Sequence, residues 1–252
     1  MLIDTHLHLF KEYYEDIPSI INDAINNNVR YYINNGCDTP SNKEVLESLK
    51  YPEVYGAIGI HPENVDKYSK EDIKFIEDNL SNPKIVAIGE IGLDYHFTKE
   101  NKSEQIKLFE TQLSLAEKHN IPVIIHSRDA TEDTINILKK YKVTGVIHSF
   151  SGSLETAKTY IKIGFMLGIN GVVTFKNCNL KDTLKSISLD NIVLETDAPY
   201  LTPTPNRGKQ NSPKYILDIA KFIADIYNTS LEEVSKITTE NAKKMYKKLT
   251  IE

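Results

Sequence analysis

The sequence has 252 residues, with 30 Lys and Arg against 35 Asp and Glu, and a formal net charge of −5. A chain of roughly 250 residues can bury one large core. Its acidity argues against a protein that coats duplex nucleic acid, because such binding leans on Lys and Arg neutralising phosphates. The 2 cysteines, Cys37 and Cys178, are too few for a disulfide framework and form no CxxC pair.

Met1 to Phe10 contains no basic region followed by a long apolar run. No stretch approaches the length of a transmembrane helix, so no membrane association is expected and the expected compartment is the cytoplasm. Short apolar runs rich in Ile and Val recur along the chain. They are Leu2–His6, Val29–Ile33, Val54–Ile60, Ile85–Glu90, Pro122–His126, Gly145–His148, Phe165–Ile169 and Ile192–Glu195. Their near-continuous apolarity suits parallel strands buried on both faces.

Helical patterns separate most of these runs. Ser103–His119 places Ile106, Phe109, Leu113 and Ala116 on one face; Thr131–Tyr141 and Ser153–Ile163 read the same way. Ser230 and Glu233 have capping-box spacing ahead of a final helix over Leu231–Lys248. Strands alternating with helices point to a closed barrel or a doubly wound sheet. The lack of a Gly-rich phosphate loop after the first strand disfavours the nucleotide-binding doubly wound folds. The expected architecture is therefore α/β, a single (β/α)8 TIM barrel over residues 1–252.

Ligand-type residues close several of the runs. His6 and His8 lie two apart, so in a strand they face the same way and can grip one metal ion; a chance HxH at a loop start is the plainer alternative. Glu90 closes an apolar strand, where a buried carboxylate needs a partner unless it exits to solvent. His126, His148 and Asp197 end or follow three further runs. A single such histidine is more often a hydrogen-bonded core residue. The set is different, because the C-terminal ends of barrel strands converge on one mouth where active sites lie. His61 closes the third run and is expected to face that mouth in a supporting or substrate-binding role. His119 closes a helix, where an imidazolium meets the helix dipole. The role of His96 stays open.

In order, the chain carries Ile3-Asp4-Thr5-His6-Leu7-His8, Gly59-Ile60-His61-Pro62, Gly89-Glu90-Ile91-Gly92-Leu93-Asp94, His126-Ser127-Arg128, His148-Ser149-Phe150-Ser151-Gly152 and Leu194-Glu195-Thr196-Asp197-Ala198-Pro199. Across essentially its whole length the chain resembles the TatD family of metal-dependent deoxyribonucleases. The resemblance implies an amidohydrolase-like barrel that hydrolyses phosphodiesters in DNA as a 3′-to-5′ exonuclease. It implies a metal cluster bound by His6, His8, Glu90, His126, His148 and Asp197, with magnesium or manganese supporting activity and zinc a further candidate. The implied partner is DNA, as single strands or frayed ends, with no obligate protein partner.

The mechanism expected on this basis uses two divalent ions. His6, His8 and Asp197 hold the first, His126 and His148 the second, and Glu90 bridges both. Two divalent cations outweigh the charges of Glu90 and Asp197, leaving a surplus that suits a phosphodiester whose negative charge grows in the transition state. A metal-activated water is the nucleophile, and Asp197 accepts its proton. Arg128 and His61 are expected to hold phosphate oxygens, Arg128 alternatively forming an ion pair with Asp129. The basic stretch 203–211 either contacts a nucleic-acid backbone or is a solvated loop. The rival enzymatic reading is an amidohydrolase or deacylase acting on an amide, ester or lactone; the non-enzymatic rival is a metal-binding protein without turnover.

Overall fold

The computed structural model of the protein describes residues 1–96 and 98–251. Parallel strands run in sequence order around a barrel: β1 (Leu2–Leu7), β2 (Val29–Asn35), β3 (Val54–Ile58), β4 (Ile85–Asp94), β5 (Val123–Arg128), β6 (Gly145–Ile147), β7 (Phe165–Ile169) and β8 (Ile192–Leu194). Each pairs with the next. The first and last strands are drawn together by a parallel bridge between Leu7 and Ala198. The Thr5 hydroxyl also donates to the Leu194 carbonyl, and the buried Asp4 carboxylate accepts from the Thr196 N–H at 2.9 Å. The expected (β/α)8 barrel is the observed fold.

The outer layer holds α1 (Ile17–Asn26), α2 (Thr39–Ser48), α3 (Lys70–Asn79), α4 (Lys102–His119), α5 (Thr131–Leu138), α6 (Leu154–Lys162), α7 (Leu180–Lys185), α8 (Ile216–Tyr227) and α9 (Leu231–Met245). Side chains of Asp16, Asp38, Ser69, Ser153 and Ser230 accept from first-turn N–H groups and so start their helices. α4 and α8 stop at Asn120 and Asn228, both left-handed, a conformation asparagine tolerates. α5 ends at Leu138 rather than Tyr141, and α9 at Met245 rather than Lys248. Ser230 caps the Glu233 N–H at 3.0 Å, so the Ser230 half of the expected capping box forms. No helix among the described residues is long and apolar enough to cross a membrane.

Two apolar clusters hold the layers. The larger lies between strands and helices and includes Leu7, Ile58, Ile91, Phe109 and Leu194. The second fills the barrel, with Ile3, Ile33, Ala57, Ala87, Ile124, Val146, Met166 and Val193 from successive strands, and Met245, Tyr246 and Leu249 from the end of the chain packed against them. Apolar filling at that end leaves the C-terminal ends of the strands to carry polar groups.

Candidate metal centre

Alternation along the strands carries several functional side chains inward. Ile124, Val146 and Val193 pack inside the barrel, so two residues on His126 and His148 face the same interior, as do Glu195 and then Asp197. β1 and β4 do not follow this count. Ile3 and Ala87 are interior, yet His6 and Glu90 lie three residues on. The strand pairing slips between Asp4 and Leu7 in β1 and between Ile88 and Ile91 in β4. A slip of one residue exchanges the two faces of a strand, and here it turns His6 and Glu90 inward.

The donor atoms meet in one cluster. His6 Nε2 is 3.3 Å from His8 Nε2, 3.4 Å from Glu90 Oε2 and 3.7 Å from Asp197 Oδ1. His8 Nε2 is 4.0 Å from Glu90 Oε2 and 3.4 Å from Asp197 Oδ1. The other oxygen of Glu90 looks elsewhere: Oε1 is 2.9 Å from His126 Nδ1, 3.7 Å from His61 Nε2 and 4.0 Å from His148 Nε2. Ligands bonded tetrahedrally at about 2.0–2.1 Å stand about 3.4 Å apart. The spacing around Glu90 Oε2 therefore matches the donor shell of a divalent cation, and imidazoles with carboxylates are suitable donors for one.

Further contacts orient the rings. Asp94 Oδ2 lies 2.8 Å from His126 Nε2, the Asn35 carbonyl 2.9 Å from His8 Nδ1, and Glu195 Oε1 2.9 Å from His148 Nδ1. The last is a close ionic contact lacking the alignment of a good hydrogen bond. Such outer carboxylates and carbonyls fix ring orientation and tautomer in metal sites. Two glycines make room for the arrangement. Gly92, at φ +144°, lies against β5 where a Cβ would come within 1.9 Å of the His126 carbonyl oxygen; at Gly168 a Cβ would sit 2.3 Å from Glu195 Oε2.

Without cations, protons balance the carboxylates. Burial alone would lower His148, but Glu195, Asp197 and Glu90 outweigh it and push its pKa up to about 10. Burial also opposes protonation of His126, and Asp94 and Glu90 raise it to about 9. Glu90 is buried, which disfavours its charge, yet His148, His6 and His61 hold it well below the ordinary carboxylate range. His61 goes the other way: burial, then the nearby His126, push it down to about 3. Asp4 is raised by burial to about 8, against the bonds it accepts from Thr196 and His6.

A cleft of about 570 Å³ opens over the cluster, lined among others by His8, His61, Glu90, His126, His148, Asp197 and Arg128. Arg128 ends β5 opposite Asp94; burial opposes ionisation of Asp94, but its bonds from His126 and the His96 N–H, and then the charges of His126 and Arg128, hold its carboxyl below the usual range. Asp129 contacts His96 Nδ1 at 3.0 Å. His61 is expected to bind phosphate, but its low pKa leaves it neutral, so it offers a hydrogen bond or a donor lone pair rather than a charge. It groups with Glu90 and His126 as a possible cation-binding trio. His119 closes α4 and contacts Glu77 at 3.1 Å.

The stretch 203–211 contributes no side chain to the cleft lining. It is folded back: Arg207 lies over the Phe175 ring at 3.9 Å, Gln210 donates to the Tyr13 carbonyl, and buried Asn211 donates to the carbonyls of Thr196 and Tyr200. Sequence reasoning gave no role to Asp94, Glu195, Asp4 or Tyr200. Asp94 and Glu195 stand inside the quoted motifs, and each is a carboxylate in an apolar run, the same signal that singled out Glu90.

A parallel barrel with this donor set at its mouth defines a metal-dependent hydrolase. A model of the TatD-related DNase family matches residues 3–247. The Bacillus subtilis (strain 168) protein named uncharacterized metal-dependent hydrolase YabD is 42% identical over 253 residues, covering 98% of this chain and 99% of its own. Its Escherichia coli (strain K12) counterpart YcfH, described in the same words, is 33% identical over 255 residues, covering 97% and 95%. The crystal structure of YJJV, a TatD homologue from Escherichia coli K12, superposes with a TM-score of 0.92 at 27% identity over 98% of each chain. The chain belongs to the TatD-related DNase family.

Proposed function

We propose that this metal-dependent hydrolase cleaves phosphodiester bonds in DNA, removing nucleotides from a 3′ end. The observation that carries the reading is the split of Glu90, with Oε2 toward His6 and His8 and Oε1 toward His126, His61 and His148. A carboxylate placed in this way could serve two cations, which when bound would assist in-line displacement at phosphorus. His6, His8 and Asp197 would hold the first ion with Glu90. His126 and His148 would hold the second with Glu90, and His61 stands beside them. Bound divalent cations would supply positive charge against the phosphate and lower the pKa of a water.

The protein's own groups do the rest. The Asp197 carboxylate would accept the proton of the attacking water. Arg128 holds a phosphate oxygen with its planar donor fork, and His61 donates or accepts a hydrogen bond as a neutral ring. Asp94, Glu195 and the Asn35 carbonyl keep the imidazoles aimed. The test is to give metal-reconstituted protein, with and without chelator, single- and double-stranded DNA and RNA labelled at each end in turn. Chelator-sensitive release of mononucleotides from DNA 3′ ends is expected. Intact DNA beside turnover of amide, ester or lactone substrates would overturn the reading.

The charge state of the metal-free cluster gives a second expected result. Folded-state values of about 9 for His126 and about 10 for His148 lie above the ordinary value near 6.5. Their protons therefore stabilise the metal-free fold fully below about pH 6.5, and this contribution is lost as pH climbs through about 9 to 10. A cation must displace these protons, so affinity should rise with pH over the same range. Manganese or zinc titrations in buffers of different ionisation enthalpy should show proton release and a stoichiometry near two. A firm ceiling of one ion would overturn the bridging role of Glu90. Heats independent of the buffer would mean that the rings are already neutral.

A further inference from the structure

Tyr200 is an exception to the burial of large side chains. It is 49% exposed, and only Met1 among the described large hydrophobic residues is comparably bare. It lies three residues beyond Asp197 and lines the cleft. Its ring centroid is 6.0 Å from that of His8, the two rings meeting edge to face, which places an aromatic ring beside the proposed first ion.

That ring is held in place. The Tyr200 hydroxyl donates to the Tyr13 hydroxyl at 2.8 Å, and the two rings meet edge to face with centroids 5.8 Å apart. Tyr13 packs in turn against Phe10 at 6.2 Å. The backbone is fixed from both sides: the Tyr200 N–H donates to the Asp197 carbonyl, Asn211 donates to the Tyr200 carbonyl, and Gln210 donates to that of Tyr13. A rigid aromatic surface facing water has already lost its conformational entropy and gains by stacking on a flat ligand.

Charge says which part of a nucleotide belongs there. The cleft lining on the side of β1, β2 and β3 carries Glu12, Asp38, Glu44 and Glu63, whereas its guanidinium, Arg128, stands at the end of β5. A phosphate-rich chain is repelled from the acidic side and drawn to the other. A nucleobase carries no charge, and every base has a face that stacks on an aromatic ring.

Resting on the reading of the protein as a DNA exonuclease, we infer that Tyr200, braced by Tyr13, is the stacking platform for the base of the terminal nucleotide. The scissile phosphate then sits over Glu90 and Asp197, and the rest of the strand leaves past Arg128. The carboxylates on that side, Glu12, Asp38, Glu44 and Glu63, repel a continuing phosphate backbone, so the site favours a chain end.

The test compares a single-stranded oligonucleotide with the same strand ending in an abasic residue, both cleaved by metal-loaded protein. Wild type should show a KM about tenfold higher for the abasic end, the loss of about 1.4 kcal/mol of stacking. Tyr200→Ala should raise KM on the normal end to the abasic level, leave the abasic KM unchanged and keep kcat and metal content. Tyr200→Phe should restore the difference, because it keeps the ring. Cleavage by wild type with equal KM on both ends, or a Tyr200→Ala effect that is the same on both, would overturn the stacking role alone. Failure of wild type to cleave either end would overturn the exonuclease reading, and this inference with it.

Discussion

Glu90→Gln is expected to abolish most turnover while leaving the fold intact. Gln keeps the shape of the side chain but offers a neutral oxygen to one side and an NH2 group to the other. In the native protein Oε2 faces His6 and His8, while Oε1 faces His126, His61 and His148. The substitution therefore removes a donor from both proposed cations. Loss of one group that stabilises a transition state costs about a hundredfold to a thousandfold, and a shared ligand belongs at the upper end, about a thousandfold in kcat. Metal content should fall below two per chain. Stability should fall far less, because hydrophobic contacts on every strand hold the barrel. The measurement is kcat at limiting metal, with elemental analysis and thermal unfolding of the same samples. A near-native rate at limiting metal would mean that Glu90 bridges nothing.

Arg128→Ala is expected to lower kcat by about a hundredfold without loss of metal, as for the removal of one donor to a developing negative charge. Arg128 is exposed at the end of β5, opposite Asp94 in the β4–β5 ladder, and it lines the cleft. Most other charges in that lining are carboxylates, so a polyanionic substrate relies heavily on this group and on bound cations. One complication is built in: Arg128 also helps keep Asp94 ionised, and Asp94 aims His126. Arg128→Lys separates the effects. It keeps the charge near Asp94 but loses the planar fork, so it should retain metal and recover only part of the rate. Full kcat for Arg128→Ala on a short oligonucleotide, at unchanged metal content, would remove Arg128 from the reacting phosphate.

The legibility of this site follows the regularity of its strands. In β5, β6 and β8, alternation continues from Ile124 to His126, from Val146 to His148 and from Val193 to Asp197, so apolar runs ending in ligand-type residues could be read directly. β7 begins and ends where its apolar run does. His6 and Glu90 could be named from residue type and motif, but alternation from Ile3 or Ala87 places them on the wrong face. Their inward turn depends on register slips that only the pairing with neighbouring strands reveals. The neighbours of His126 and His148 were equally hidden: the structure sets His126 between Glu90 and Asp94, and stacks His148 on His6 with centroids 3.6 Å apart. Those partners come from distant strands. The 203–211 stretch has the composition of a solvated basic loop, and the Phe175 ring beneath Arg207 is 32 positions away and invisible to local pattern.

The closure between the first and last strands also sets a timetable for synthesis. Thr5 and Leu194, which bond across that seam, are 189 residues apart. At translation rates of about 5–20 residues per second, His6 and His8 are made roughly ten to forty seconds before Asp197. Through that interval the two histidines have neither the Asp197 carboxylate nor the seam that holds β1 against β8. A nascent chain therefore lacks the complete donor set until its last strand has been made, and a product that stops before β8 keeps Glu90 and His126 but lacks Asp197. The complete donor set at the barrel mouth is therefore a property of the finished barrel, assembled only when its last strand joins its first.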